Sequence, residues 1–268
     1  MKIRIKGLKN AIFMAIILPI VAILPISSVN ADIVEHLYEV EMPVEGQGPE
    51  ERAYIVREAL KEVLVRVSGL SAASALAMDE VLVSRPTGFV EQFRYRPFSA
   101  DEIIPPAPEG KKNYTQKLWL RFTEKSIATL LTAKGLPVWG QTRPVTLIWL
   151  AVDDQKQRTL VGSNTAHFSH DYIELEAKKR GLPFRLPLLD LADQLKLPVT
   201  DVWGNFEDTI FDASTRYQAE AILVGRIYLS FANTWHTRWT LYSGGKRQDW
   251  EVSNTETLQG AINGGLSV

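Results

Sequence analysis

Val145 to Val152 carries no charge and, Thr146 apart, no polar side chain. A strand with one wet face alternates apolar and polar residues. An apolar run without alternation belongs to a strand covered on both faces. Ala221 to Leu229, apolar but for Arg226, reads as another strand, and Phe184 to Leu189 as a shorter strand ending at Asp190. Two helical stretches separate them. One is His170 to Arg180, stopped by Gly181, and the other is Asn205 to Tyr217, with Phe206, Ile210, Ala213 and Tyr217 on one face. Trp235 to Tyr242 then alternates and reads as part of a hairpin turning at Gly244-Gly245. The order β-α-β-α-β-β predicts an α/β domain of two or three layers, its sheet mainly parallel with an antiparallel edge.

The preceding stretch has a different grammar. Ile33 to Met42 reads as a strand. Pro49, followed by Glu50 and Glu51, opens a helix in which Ala53, Val56, Leu60, Val63, Leu64 and Val67 keep one face, and Gly69 closes it. A second, Ala-rich helix is expected over 71–83. Strands follow at Phe89 to Tyr95 and Tyr114 to Phe122, separated by a proline-rich loop over Pro97 to Lys112. Thr123 is placed to cap a helix carrying Ile127, Leu130 and Leu131, which ends at Gly135 and Pro137. The expectation is a small α+β domain at 32–140 and an α/β domain at 141–268, α+β overall. The helical pattern at Thr255 to Val268 begins and soon stops, which suggests a reading frame cut short at that end.

The first 31 residues read as an address. Lys2, Arg4, Lys6 and Lys9 precede an uncharged apolar run, Ala11 to Ile26, and small residues stand at Val29 and Ala31. Basic, apolar, then small-x-small is the pattern of a secretory signal peptide, with cleavage after Ala31. An uncleaved inner-membrane anchor is the alternative, although Pro19 and Pro25 interrupt the run. Either way the bulk of the chain faces the periplasm, with no stable membrane span after cleavage. Loss of those four cations takes the formal charge from −1 to −5. A mildly acidic chain without a basic stripe is a poor ligand for nucleic acid. There is no Cys, hence no disulfide, thiolate metal site or cysteine nucleophile. Apolar residues make up 46% of the chain, enough to build a core.

A set of segments carries a resemblance. They are Ala59 to Gly69, Leu118 to Phe122, Gly135 to Gly140, Arg143-Pro144 with Trp149 to Asp153, Arg180 to Pro183, Leu188 to Leu191, Asp201 to Gly204 and Ala221 to Arg226. Together they resemble an exported gammaproteobacterial family known only as a domain of unknown function, number two thousand and sixty-six in that series. That resemblance implies no activity. Residues 205–242 are similar to the amino-terminal domain of TolB and to curli-secretion lipoproteins, and 50–69 looks like the amino-terminal part of flagellar assembly protein T. Such domains bind other envelope proteins, which implies an adaptor; fold alone does not fix that role.

Catalytic motifs are missing. No G-x-S-x-G, phosphate-loop, dinucleotide or H-E-x-x-H pattern occurs. His167 and His170 beside Asp171 lack an evident third ligand, so no metal and no cofactor is assigned. Asp153, Asp154 and Asp190 stand at strand ends, where the ligand edge of a parallel sheet lies. If they converge, they suit Mg²⁺ and a phosphoryl group. Trp139 and Trp203 each precede Gly in a loop and offer a platform for a protein or glycan, while Trp119, Trp149 and Trp239 lie within strands and read as packing. The leading expectation is a non-enzymatic periplasmic binding or envelope-assembly module. It would use Trp139, Asp153, Asp154, Asp190 and Trp203, with no catalytic residue assigned. The alternative is a metal-dependent hydrolase or phosphoryl-handling enzyme built on the three carboxylates.

Overall fold

The computed structural model describes residues 31–69, 85–100, 102, 104, 113–165 and 168–267. The expected leader, the Ala-rich helix over 71–83, most of the proline-rich loop and His167 lie outside the described residues.

The described residues open with β1 (Ala31–Ile33), so the expected cut after Ala31 falls inside a strand. It turns at His36, whose φ is 58°, and resumes as β2 (Glu39–Val44). One strand over 33–42 was expected. The bend has a physical holder: Arg66 Nη1 donates to the carbonyls of His36, Leu37 and Glu39. Arg66 lies on α1 (Pro49–Ser68), which starts at a proline with two acids in its first turn. It ends where Gly69, at φ 69°, donates its N–H to Val65 O. After a 3-10 turn at Pro86–Phe89 come β3 (Val90–Arg96), β4 (Gln116–Phe122) and α2 (Glu124–Ala133). The Thr123 side chain makes no capping bond to α2. The sheet β2-β4-β3 is wholly antiparallel. The face of α1 expected from spacing is the buried one. Val56, Leu60, Val63, Leu64 and Val67 pack with Leu118, Leu120 and Phe122. At about 1.5–3 kcal/mol for each fully buried aliphatic side chain, this contact dominates the first sheet's stability.

A short strand β5 (Thr142–Pro144) pairs back with β1. It leads into β6 (Thr146–Asp153), β7 (Arg158–Val161), α3 (Phe168–Arg180), β8 (Phe184–Arg185), α4 (Leu191–Lys196), α5 (Val199–Gly204) and α6 (Glu207–Ser214). A 3-10 turn at Thr215–Tyr217 extends α6. Then come β9 (Ala221–Leu229), β10 (Trp235–Ser243), β11 (Lys246–Thr255) and α7 (Leu258–Gly265). The sheet order is β11-β10-β9-β6-β7, with β8 also on β6. Only β6–β9 and β6–β8 are parallel, so the expected mainly parallel sheet is mainly antiparallel. Three antiparallel pairs, β6–β7, β9–β10 and β10–β11, account for the difference. β7 was not anticipated, and β8 pairs over two residues where six were expected.

Alternate residues of β6 serve two cores. Ile148, Leu150 and Val152 face α3 and α7 through Ile173, Leu258, Ala261 and Ile262. Leu147, Trp149 and Ala151 face Leu197, Val202, Ile210 and Ala213 on the side of α4 to α6. Three layers result, which is why β6 shows no polar alternation. Trp239 is fully buried in a slot made by two glycines. A Cβ at Gly225 would come within 2.5 Å of its ring, and one at Gly265 within 2.0 Å.

Arg143 joins the two sheets. It is fully buried, and its five N–H donors reach five carbonyls. Nε donates to Gly140 O, Nη1 to Arg180 O and Gly181 O, and Nη2 to Arg66 O and Trp139 O. Burial, followed by the Arg66 cation, draws its pKa down to about 10, so it remains charged at neutral pH. Arg66 crosses in the other direction, donating Nε to Lys179 O.

Candidate binding cleft

The parallel pair β6–β9 runs from Thr146↔Ala221 to Asp153↔Tyr228. At its carboxyl end, Asp153 accepts from the Gln155 N–H and from Arg158 Nη2, both at 3.0 Å. Asp154 accepts from the N–H groups of Gln157 and Lys156, which hold its carboxyl below the ordinary range. Both aspartates therefore shape the β6–β7 turn. Gln155, at φ 71°, donates its side-chain amide to Leu229 O and Ser230 O and ties this turn to the end of β9.

Arg158 spreads over Trp203, 3.7 Å from the ring centroid. Trp203 stands on α5 and meets Tyr228 edge-on at 6.5 Å. Tyr228 in turn stacks on His236 of β10 at 5.1 Å and 12°. The turn between β9 and β10 presents Phe231, whose side chain is fully exposed. Asp153, Gln155, Trp203, Tyr228, Leu229 and Phe231 enclose a cleft of about 330 Å³. The sequence thus supplied Asp153 and Trp203 but missed Arg158, Tyr228, Phe231 and His236. The signal for Phe231 was present: a large aromatic between two strands, in the turn-like Ser230-Phe231-Ala232-Asn233.

Asp190 belongs to another group. It caps α4 through the Asp193 N–H and pairs with both terminal nitrogens of Arg216 at 2.8 and 2.9 Å. The hydrogen bonds from Arg216 bring its pKa down to about 2. Buried Asp193 completes the cluster, accepting from Arg216 Nη1 and the Tyr217 hydroxyl. No hydrogen-bond partner of Asp190 is shared with Asp153 or Asp154, and among the described residues no group of three His, Asp or Glu is placed to hold a metal ion. The three carboxylates do not converge. Trp139 lies elsewhere too: its N–H bonds Val67 O at 2.6 Å and its ring carries Arg143 at 4.1 Å, so it pins the connection between the sheets. His170 faces Asp171 at 3.6 Å.

A family model described as a domain of unknown function, DUF8605, matches residues 31–140, the stretch that ends just before β5. No curated protein matches the chain. The cleft lies outside the matched stretch, and among the described residues no helix is long and apolar enough to cross a membrane.

Proposed function

We propose that the protein is a periplasmic, non-enzymatic binding module that docks an envelope protein at the cleft formed by β6, α5 and the β9–β10 turn. The observation that carries this reading is the composition and state of the cleft. Trp, Tyr, Phe and Arg are the side chains that anchor protein interfaces, and Phe231 projects with no cover. Two of the polar groups beside them are already engaged: Asp153 with Gln155 and Arg158, and Gln155 with two carbonyls. A sugar needs free hydrogen-bonding partners around its aromatic platform, whereas an apolar side chain of a protein needs the aromatic surface alone. This favours a protein over a glycan.

Further support comes from the amino-terminal pattern for export and from the likeness of 205–242 to TolB-type and curli-secretion domains. The family of the resemblance, and the division into domains at 32–140 and 141–268, form part of the same proposal. The separate cores of the two sheets support that division.

A photo-crosslinking residue placed at position 231, in cells exporting the full chain, tests the reading. One reproducible protein adduct is expected, lost on Tyr228→Ala in a variant that keeps its far-ultraviolet dichroism. An adduct with glycan alone, or none above the level at a control position such as Lys125, overturns it.

A further inference from the structure

At the opposite end of β6 and β9 the two sheets leave a cavity of about 230 Å³. Leu182, Phe184, Leu223, Leu241, Trp250 and Leu266 are part of its wall, and Gly69 with Trp139 line it from the side of the first sheet. These side chains lie on the face covered by α3 and α7. Even so, Leu182, Phe184, Leu241 and Trp250 remain only half-buried, so inward-facing apolar surface is left without a partner. A dry engineered cavity of about 150 Å³ takes up benzene. This larger space fits a chain of about eight carbons by the same scale.

Among the described residues one charged group reaches the cavity wall. Arg180, in the last turn of α3, donates Nη2 to Asn263 Oδ1 and Ser267 Oγ, while its buried Nε–H has no acceptor. The nearby carboxylate, Glu176, is taken by Lys179 at 2.9 Å. With Glu176 engaged by Lys179, no carboxylate among the described residues forms an ion pair with the Arg180 guanidinium at the cavity wall, so an arriving carboxylate gains a charge-assisted partner there.

We propose that this cavity is a binding site for a small aliphatic monocarboxylate, its chain against Leu223, Leu241 and Trp250 and its carboxylate on Arg180. The site is separate from the aromatic cleft, and the two readings stand or fall independently.

Titration of the full chain with octanoate, octanol and octylamine tests the site, read by tryptophan fluorescence and by melting temperature. Octanoate is expected to saturate at one site, with octanol at least tenfold weaker and octylamine without effect. Arg180→Gln should weaken octanoate at least tenfold and leave octanol unchanged. Leu241→Trp, which fills the space, should abolish both. Unsaturable octanoate binding, or equal binding of octanoate and octanol to the unaltered protein, overturns the proposal. So does octanoate binding that survives Leu241→Trp in a folded variant. Because the octanoate-octanol comparison uses the unaltered chain, it decides the matter even if a substitution impairs folding.

Discussion

Arg143 shows how one side chain sets the terms for its surroundings. Its guanidinium meets five carbonyls from three places in the chain, and among the described residues no carboxylate pairs with it. Two of those carbonyls, of Arg180 and Gly181, lie at the carboxyl end of α3, where a cation is favoured by the helix dipole. Replacement by Met takes the donor away from five carbonyls, those of buried Arg66 and Gly181 among them. Arg143→Met is expected to lose about 3–5 kcal/mol in urea unfolding, the range for breaking a buried charged network. Arg143→Lys should recover little of it, because an ammonium lacks the planar fork. Titration belongs to the same scale. Asp190 is held at about 2 by Arg216, and its unfolded value is near 3.9. Its contribution is therefore present above about pH 4 and is lost as pH falls through 2. Tyr217 is pushed up to about 12 by burial and then by Asp193, so its contribution is present below about pH 10 and is lost as pH rises through 12. The urea midpoint followed against pH should show both limbs. Asp190→Asn should flatten the acid limb alone and Tyr217→Phe the alkaline one alone.

At the scale of the element, the slot around Trp239 decides how α7 docks. A Cβ built at Gly225 of β9 would meet side chains, the Trp239 ring at 2.5 Å and Leu150 at 2.7 Å. Gly225→Val is therefore destabilising by overpacking, and a loss of about 1–3 kcal/mol is expected. Gly265→Ala drives a methyl into the same indole from the other side and should lower the melting temperature similarly. Combined, the two should be non-additive, since they press on one ring. α5 makes a contrasting case. Trp203 is half-buried and packs on the core beneath α5 as well as lining the cleft. Trp203→Ala should therefore cost stability, about 2 kcal/mol by the lower end of large-to-small core changes, as well as binding. Phe231→Ser, at a fully exposed position, should change stability by less than about 0.5 kcal/mol while removing the partner contact. Urea midpoints beside crosslinking yields separate the two effects.

For the whole molecule, the question is whether the two sheets unfold together. Each has its own core, and Arg66, Arg143 and the β1–β5 pair span the joint. The unaltered chain is expected to unfold in one transition, with denaturant curves from near-ultraviolet dichroism and hydrogen exchange of β4 and β9 amides superimposing. In Arg143→Met the two should separate. Coincident curves in that variant would place the coupling elsewhere.

Much of this was legible from residue order, because it depends on local periodicity. The buried face of α1, its proline start and glycine stop, β4, β6, β9, and the apolar face Leu258, Ala261, Ile262 and Leu266 all follow from spacing. The burial of Trp149 and Trp239 follows from their place in strands. What needed the tertiary structure was everything set by distant partners. Strand direction depends on which edges meet, so β6–β7 and β9–β10–β11 turned a parallel expectation antiparallel. The carboxylates at the strand ends looked alike in sequence, yet Asp153 and Asp154 found backbone amides in a turn while Asp190 found Arg216 and the start of α4. The cleft draws on β6, β7, α5, β9 and β10, with Trp203 and His236 33 positions apart and no periodicity to link them. Periodicity reports which face of an element is apolar; the neighbour that face meets is chosen only when the chain closes on itself.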